Sequence, residues 1–201
     1  MLENFHVSES FKVIYKEGNN LFEKLAPEQI RTIRKRMIEC ILATDMFNHA
    51  LLFNTFKSKL ESYKIVNGQN VDKLLLPDSH KDAEIKNYEI QQMVLSECVH
   101  TSDISSPCKD IKVCDKWLEL VYVEFFNQGD KEKENGLPVS MLCDRTNTNI
   151  NKGQVGFIKF IVSPQINLIS NLIPEIQPYI DNIRTNLKYY EERIEEVRSV
   201  I

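Results

Sequence analysis

The sequence predicts an all-α protein, a compact multi-helix bundle with irregular crossings, on three observations. Apolar residues recur at spacings of three and four along nearly the whole chain. No apolar–polar alternation is long enough to define a strand. Helix breakers are few, with 6 Gly and 7 Pro in 201 residues.

Phe11, Ile14, Tyr15 and Phe22 mark a first helix that Gly18 weakens. Pro27 suits the first position of a second helix, where its missing N–H costs nothing. That helix carries Ile30, Ile33, Met37, Ile38, Ile41 and Leu42 and runs on to Asp45 and Met46. Its early face is basic, with Arg31, Arg34, Lys35 and Arg36, and reads as solvated. Residues 66–80 carry turn chemistry, Asn67-Gly68-Gln69-Asn70 and Pro77-Asp78-Ser79. A helix from Asp82 to about His100 is expected to bury Ile85, Ile90, Met93, Val94 and Val99. Ser105-Ser106-Pro107 interrupts it, and the next helix runs through Val113, Trp117, Leu120, Val121, Phe125 and Phe126. After Gly136-Leu137-Pro138 the helical pattern resumes near Asn151, through Phe157, Phe160 and Ile161, and ends at Pro164. A charged amphipathic helix from Pro178 to Ile201 closes the chain, and a homodimer through it is one expectation.

Composition excludes several classes. The chain is 42% hydrophobic and 27% charged, which is not the makeup of a disordered or low-complexity protein. A net charge of −4 gives no strong attraction to nucleic acid. No apolar run approaches the ~20 residues of a membrane span. The N-terminus lacks the basic start and apolar stretch of a signal peptide, so a cytoplasmic protein is expected. The five cysteines include no Cys-x-x-Cys pair, and they read as thiols in a reducing compartment.

Three places hold polar residues within apolar segments, where a buried polar group needs a partner. One is Ala43-Thr44-Asp45-Met46, in which Asp45 also reads as a capping carboxylate. Another is His100-Thr101-Ser102-Asp103, with His and Asp spaced for a shared metal. The third is Gln154-Val155-Gly156-Phe157-Ile158, which puts an amide and a ring on one helical face, an arrangement suited to a flat heteroaromatic.

Read together, these stretches resemble the class I 3′,5′-cyclic-nucleotide phosphodiesterases. Leu2-Glu3-Asn4-Phe5-His6, Ile41-Leu42-Ala43-Thr44-Asp45-Met46 and His100-Thr101-Ser102-Asp103-Ile104-Ser105 match in the family's order. Glu124-Phe125-Phe126-Asn127-Gln128-Gly129-Asp130, Gly136-Leu137-Pro138-Val139-Ser140, Cys143-Asp144-Arg145 and Gln154-Val155-Gly156-Phe157-Ile158 continue it. The resemblance runs from Leu2 to about Tyr190 and implies that residues 1–201 are part of a helical catalytic domain. It implies a binuclear site of zinc with magnesium or manganese, and a cyclic nucleotide, cAMP or cGMP, as substrate. Two metals sharing a hydroxide would attack phosphorus, and a histidine would protonate the departing 3′ oxygen, giving a 5′-nucleoside monophosphate. By this resemblance Asp103 ligates zinc, and Glu3 and His6 belong to the outer shell of the second metal. Gln154 hydrogen-bonds the purine, Phe157 clamps it, and Asp45 and Met46 line the pocket. One cleft shared by Asp103, Gln154 and Phe157 is the central expectation.

The chain also departs from the family. Its histidines are His6, His49, His80 and His100, none followed by Asp, and it has no His-Asn-x-x-His. The general-acid histidine is therefore absent and Asp103 is the one retained metal ligand, where a catalytic zinc site takes about three. Ser106 stands for a usual asparagine, and Met141 for a proline. Without the helices carrying those motifs, Phe5, Phe11 and Met46 are expected at the surface. The rival expectation is a non-catalytic helical module that binds a purine nucleotide or a partner chain.

Overall fold

The computed structural model describes residues 2–67 and 83–199, with side chains described for 2–64 and 88–195. Among the described residues there are eight α-helices and no strand. Most of the turn chemistry read at 66–80 lies outside the described residues, as does the side chain of Ile85. The chain divides into two compact units, Met1–Asp103 and Ile104–Ile201, and each is described by itself.

The first unit holds α1 (Leu2–Ile14), α2 (Pro27–Leu42), α3 (His49–Asn67) and α4 (Ala83–Asp103). Glu3 in the first turn of α1 and Lys12 in its last suit the helix dipole. Gly18, at φ +79°, reverses the chain after it. Pro27 opens α2 as expected, and the Gln29 side chain accepts from the Ala26 N–H at 2.9 Å. Phe11, Ile14 and Phe22 are buried, with Val7, Leu25, Ile30, Ile33 and Met37 packed on them. Phe11 is therefore not at the surface: it is 7% exposed, and the Arg34 guanidinium lies 4.3 Å over its ring. Phe5 and Met46 are exposed, as expected.

The α2 helix stops at Leu42, short of the expected run to Met46. Asp45 instead starts a separate 3₁₀ turn, Met46–Asn48, its side chain accepting from the Phe47 N–H at 2.9 Å. On α4 the buried face also differs from the expected stripe. Val94 is buried, but Ile90 and Met93 are half-buried and Val99 is exposed. Gln92, Ser96, Glu97, His100 and Thr101 are buried beside Val94. Residues 92, 96 and 100 repeat at the four-residue spacing of one helix face, so α4 turns a polar face inward. Part of it is satisfied by α2: Gln92 Nε2 donates to Arg36 O at 3.2 Å and to Cys40 Sγ at 3.4 Å.

The second unit holds α5 (Ile111–Glu134), α6 (Ile150–Phe157), α7 (Ser163–Ile169) and α8 (Gln177–Ser199). Asp110 caps α5, accepting from the Lys112 N–H at 2.9 Å. The buried positions of α5 are Cys114, Leu118, Tyr122 and Gly129. Val113, Trp117, Leu120 and Val121, which carry the helical pattern in the sequence, are exposed. The core combines these α5 residues with Ile158, Val162, Ile166, Ile180, Ile183 and Tyr190.

The helix expected to end at Pro164 continues to Ile169. Between α6 and α7 the backbone widens into a π turn, Ile158–Val162. Proline inside a helix has no N–H and its ring clashes with the carbonyl four residues back, and the wider turn accommodates both faults. The widening also offsets the ~40° that four α-helical residues overshoot a full turn. Ile158, Val162 and Ile166, each four apart, thus all remain buried.

The segment between α5 and α6 lies along α5. Glu132 accepts from the Ser140 N–H and hydroxyl, both at 2.7 Å. Arg145 pairs with Asp130, and Lys133 with Asp144 at 2.8 Å. Cys143 sits against Gly129, where an added Cβ would lie 2.0 Å from the Cys143 carbonyl oxygen. Backbone cannot yield as a side chain can, so Gly129→Ala is expected to lower stability by about 2–3 kcal/mol, read from the urea unfolding midpoint.

Candidate functional site

Gln154 sits in the second turn of α6, a helix that Asn149 starts by accepting from the Lys152 N–H at 2.9 Å. Its side chain is buried, 6% exposed, and Phe157 one turn on is half-buried against the core. The expected pairing of amide and ring on one helix is present, and the amide is inside rather than at the surface. Gly153 is what lets α6 approach α5: a Cβ there would lie 2.1 Å from the Tyr122 hydroxyl.

The Gln154 amide is held from behind. Its Nε2 donates to Cys114 Sγ at 3.7 Å, and Cys114 Sγ lies 3.4 Å from the Tyr190 hydroxyl. Tyr190 donates to Asp115 Oδ1 at 2.9 Å, and Tyr189 donates to Asp115 Oδ2 at 3.1 Å. Burial pushes the Cys114 thiol up, against the opposing effect of its hydrogen bonds. Burial, then the bonds to Cys114 and Asp115, pushes the Tyr190 hydroxyl well above the ordinary range. Neither group ionises near neutral pH. Sequence reasoning missed Cys114, Asp115 and Tyr190. Cys114 read as an incidental thiol and Tyr190 as one position in an apolar stripe, and nothing local tied them to Gln154.

In the first unit Asp103 is the last residue of α4 and is exposed. His100, one turn earlier, is 1% exposed, and its Nε2 lies 2.8 Å from His49 Nδ1. That nitrogen is occupied by His49, while the other ring nitrogen of His100, Nδ1, is buried with no hydrogen-bond partner. Asp45 is half-buried at its turn, and Met46 beside it is 44% exposed. Glu3 and His6 lie one turn apart on α1, with Glu3 half-buried and His6 exposed. Among the described residues no three His, Cys, Asp or Glu side chains are gathered as a metal site. All five cysteines are free thiols.

The histidine pair has a pH signature. His49 is held below its ordinary 6.5 by burial. His100 is lowered by burial and by His49, with Asp103 opposing. The unfolded chain takes up protons near pH 6.5 while the folded pair does not, so stability is complete above that pH and falls below it. The urea midpoint is expected to drop between pH 7.5 and 5.5, and the drop to shrink in His49→Gln/His100→Gln.

The sequence profile described as 3′5′-cyclic nucleotide phosphodiesterase matches residues 1–183. A Drosophila melanogaster protein named 3′,5′-cyclic-AMP phosphodiesterase, isoform F, is 37% identical over 195 residues, 96% of this chain and 28% of that protein. The Rattus norvegicus 3′,5′-cyclic-AMP phosphodiesterase 4C is 33% identical over 96% of this chain and 34% of its own length. Among solved structures, LmjPDEB1 in complex with IBMX has a TM-score of 0.80 at 26% identity, over 97% of this chain and 53% of that one. The phosphodiesterase domain of Salpingoeca rosetta rhodopsin phosphodiesterase has a TM-score of 0.80 at 28% identity, over 99% of this chain and 56% of that one. The chain thus spans about a third or less of these curated relatives and somewhat over half of the solved chains.

Proposed function

The chain belongs to the 3′5′-cyclic nucleotide phosphodiesterase family, and we propose that it supplies the base-binding part of an enzyme that hydrolyses 3′,5′-cyclic nucleotides to 5′-monophosphates. Cyclic AMP is the favoured substrate, on the names of the relatives. The reading is carried by Gln154, an amide buried to 6% exposure one turn from a half-buried ring and inside the matched segment. In it the Phe157 ring takes the face of the purine while the Gln154 amide takes its edge. Stacking on an aromatic ring contributes about 1–3 kcal/mol per base, and an edge hydrogen bond about 1 kcal/mol.

Asp103 offers a carboxylate at the end of α4, the position that its resemblance assigns to zinc. One carboxylate is too few for zinc with magnesium or manganese, and the described residues gather no further set. The residues described do not by themselves fit the metals, and no step is routed through them. Asp45 and Met46 are proposed to line the pocket, and Glu3 and His6 to lie near the second metal. The five free thiols support a reducing, cytoplasmic setting.

Release of 5′-AMP from cyclic AMP by the full-length protein, supplied with zinc and magnesium, tests the reading. Chelation is expected to abolish release, and Asp103→Ala to lower it by at least about 100-fold, since even the partners of metal ligands are worth 10–100-fold. Gln154→Ala is expected to raise KM about 10-fold, the loss of roughly one hydrogen bond to the base. Nucleotide binding without turnover, in the full-length protein, would establish the non-catalytic alternative instead.

A further inference from the structure

Ser140 is held differently from the hydroxyls of the helices. Ser10, Thr55, Ser102 and Thr185 each donate to a backbone carbonyl four residues back. Ser140 lies outside any helix, in a stretch from Leu137 to Met141 that is exposed except at half-buried Val139. Its N–H and its hydroxyl both donate to the Glu132 carboxylate at 2.7 Å, and Gln128 Nε2 donates to the same group at 2.8 Å. These neutral donors, the Ser140 N–H foremost, hold the Glu132 carboxyl below its ordinary range. No Lys or Arg among the described residues pairs with it: neighbouring Lys133 goes to Asp144 instead. The Thr146 hydroxyl also donates to a carboxylate, but that carboxylate is Asp144, which already has its cation. The stretch is strained as well. The Cys143 N–H donates to Ser140 O at 3.0 Å, closing a turn in which Leu142 has φ +69°, a left-handed conformation that a residue with a Cβ rarely takes. On its other side Ser140 lines a groove with Leu142, Asn149 and Lys152. Lys152 is exposed in the first turn of α6 and makes no ion pair among the described residues.

We propose that Ser140 is a phosphorylation site for a protein serine kinase, and that its phosphate moves this stretch from Glu132 on α5 to Lys152 at the start of α6. In the transfer the Ser140 hydroxyl oxygen bonds to the γ-phosphorus of ATP and the bond from that phosphorus to ADP breaks. The hydroxyl proton leaves to the kinase's own base. The product carries about two negative charges and has no hydroxyl proton to offer Glu132. A carboxylate with no cation of its own repels it, so the bond from the Ser140 side chain is lost. Lys152 and the positive end of α6 attract it across the groove. The segment ends at Asn149, whose side chain caps α6, so the change reaches the helix that carries Gln154 and Phe157. The proposal does not rest on the base-binding reading.

Two measurements test it. The full-length protein is isolated from the cells that make it, with phosphatases inhibited, and the peptide containing Ser140 is read by mass spectrometry. Phosphate on Ser140 is expected, and a peptide unmodified in both resting and stimulated cells overturns the site. Phosphoserine is then encoded at position 140 and its phosphate followed by ³¹P NMR across pH. Beside Lys152 the phosphate is expected to titrate below its ordinary value of about 6, and to move back up in Lys152→Gln. A midpoint at or above about 6, as a phosphate still beside Glu132 gives, overturns the change of partner. So does a midpoint that Lys152→Gln leaves in place. In the same samples the Ser140 N–H is expected to exchange with solvent about 10-fold faster when phosphorylated, the loss of roughly one hydrogen bond, with the buried amides of α5 unchanged. Exchange at the unmodified rate overturns release from α5.

Discussion

In the second unit the position of α8 depends on two amides, one buried and one half-buried. Asn186, 1% exposed, donates through Nδ2 to the carbonyls of Pro107 and Lys109, both at 2.8 Å. Asn182, one turn earlier, donates to Cys108 O at 3.0 Å. These carbonyls belong to the turn around Pro107, where a 3₁₀ turn leads into α5 and the backbone has few partners of its own. The asparagines supply the partners, and a buried carbonyl left bare would cost about 1–3 kcal/mol. The bonds therefore fix the axial register of α8 against the start of α5. Tyr190, one turn beyond Asn186, arrives at Cys114 and Asp115 because of that register, and the support behind Gln154 follows from it.

What the sequence made legible was local. Pro27 marked the start of α2, Gly136 the break after α5, and the three-to-four spacing the helical class. These signals act within one turn of chain and survive packing. The phase of each helix was less legible. On α5 the large apolar residues Val113, Trp117, Leu120 and Val121 read as the pattern-bearing side, yet Cys114, Leu118, Tyr122 and Gly129 are buried. On α4 the inward face is polar, which no apolar count reveals. Pro164 read as a stop because the rule for proline is local, while the π turn that accommodates it is set by burial of Ile158 and Val162.

The candidate site divides along the same line. Gln154 and Phe157 were readable because they lie one turn apart on one helix. Cys114 and Tyr190 were not, since they are 40 and 36 residues from Gln154 in sequence and meet it only through packing. Asp45 read both as a site residue and as a cap, and its side chain is observed capping the Met46 turn. Asp103 was singled out from its segment alone, and it stands exposed at the end of α4.

The segment between α5 and α6 combines two kinds of attachment. Its charged contacts, Asp130 with Arg145 and Lys133 with Asp144, are part-exposed, and dissolved ions weaken such pairs. Cys143 is 4% exposed and wedged on Gly129, a steric fit indifferent to ionic strength. Concentrated salt therefore loosens the attachment just after Cys143, at Asp144 and Arg145, while Cys143 itself stays pinned on Gly129, so that the segment frees from its α6 side rather than along its whole length.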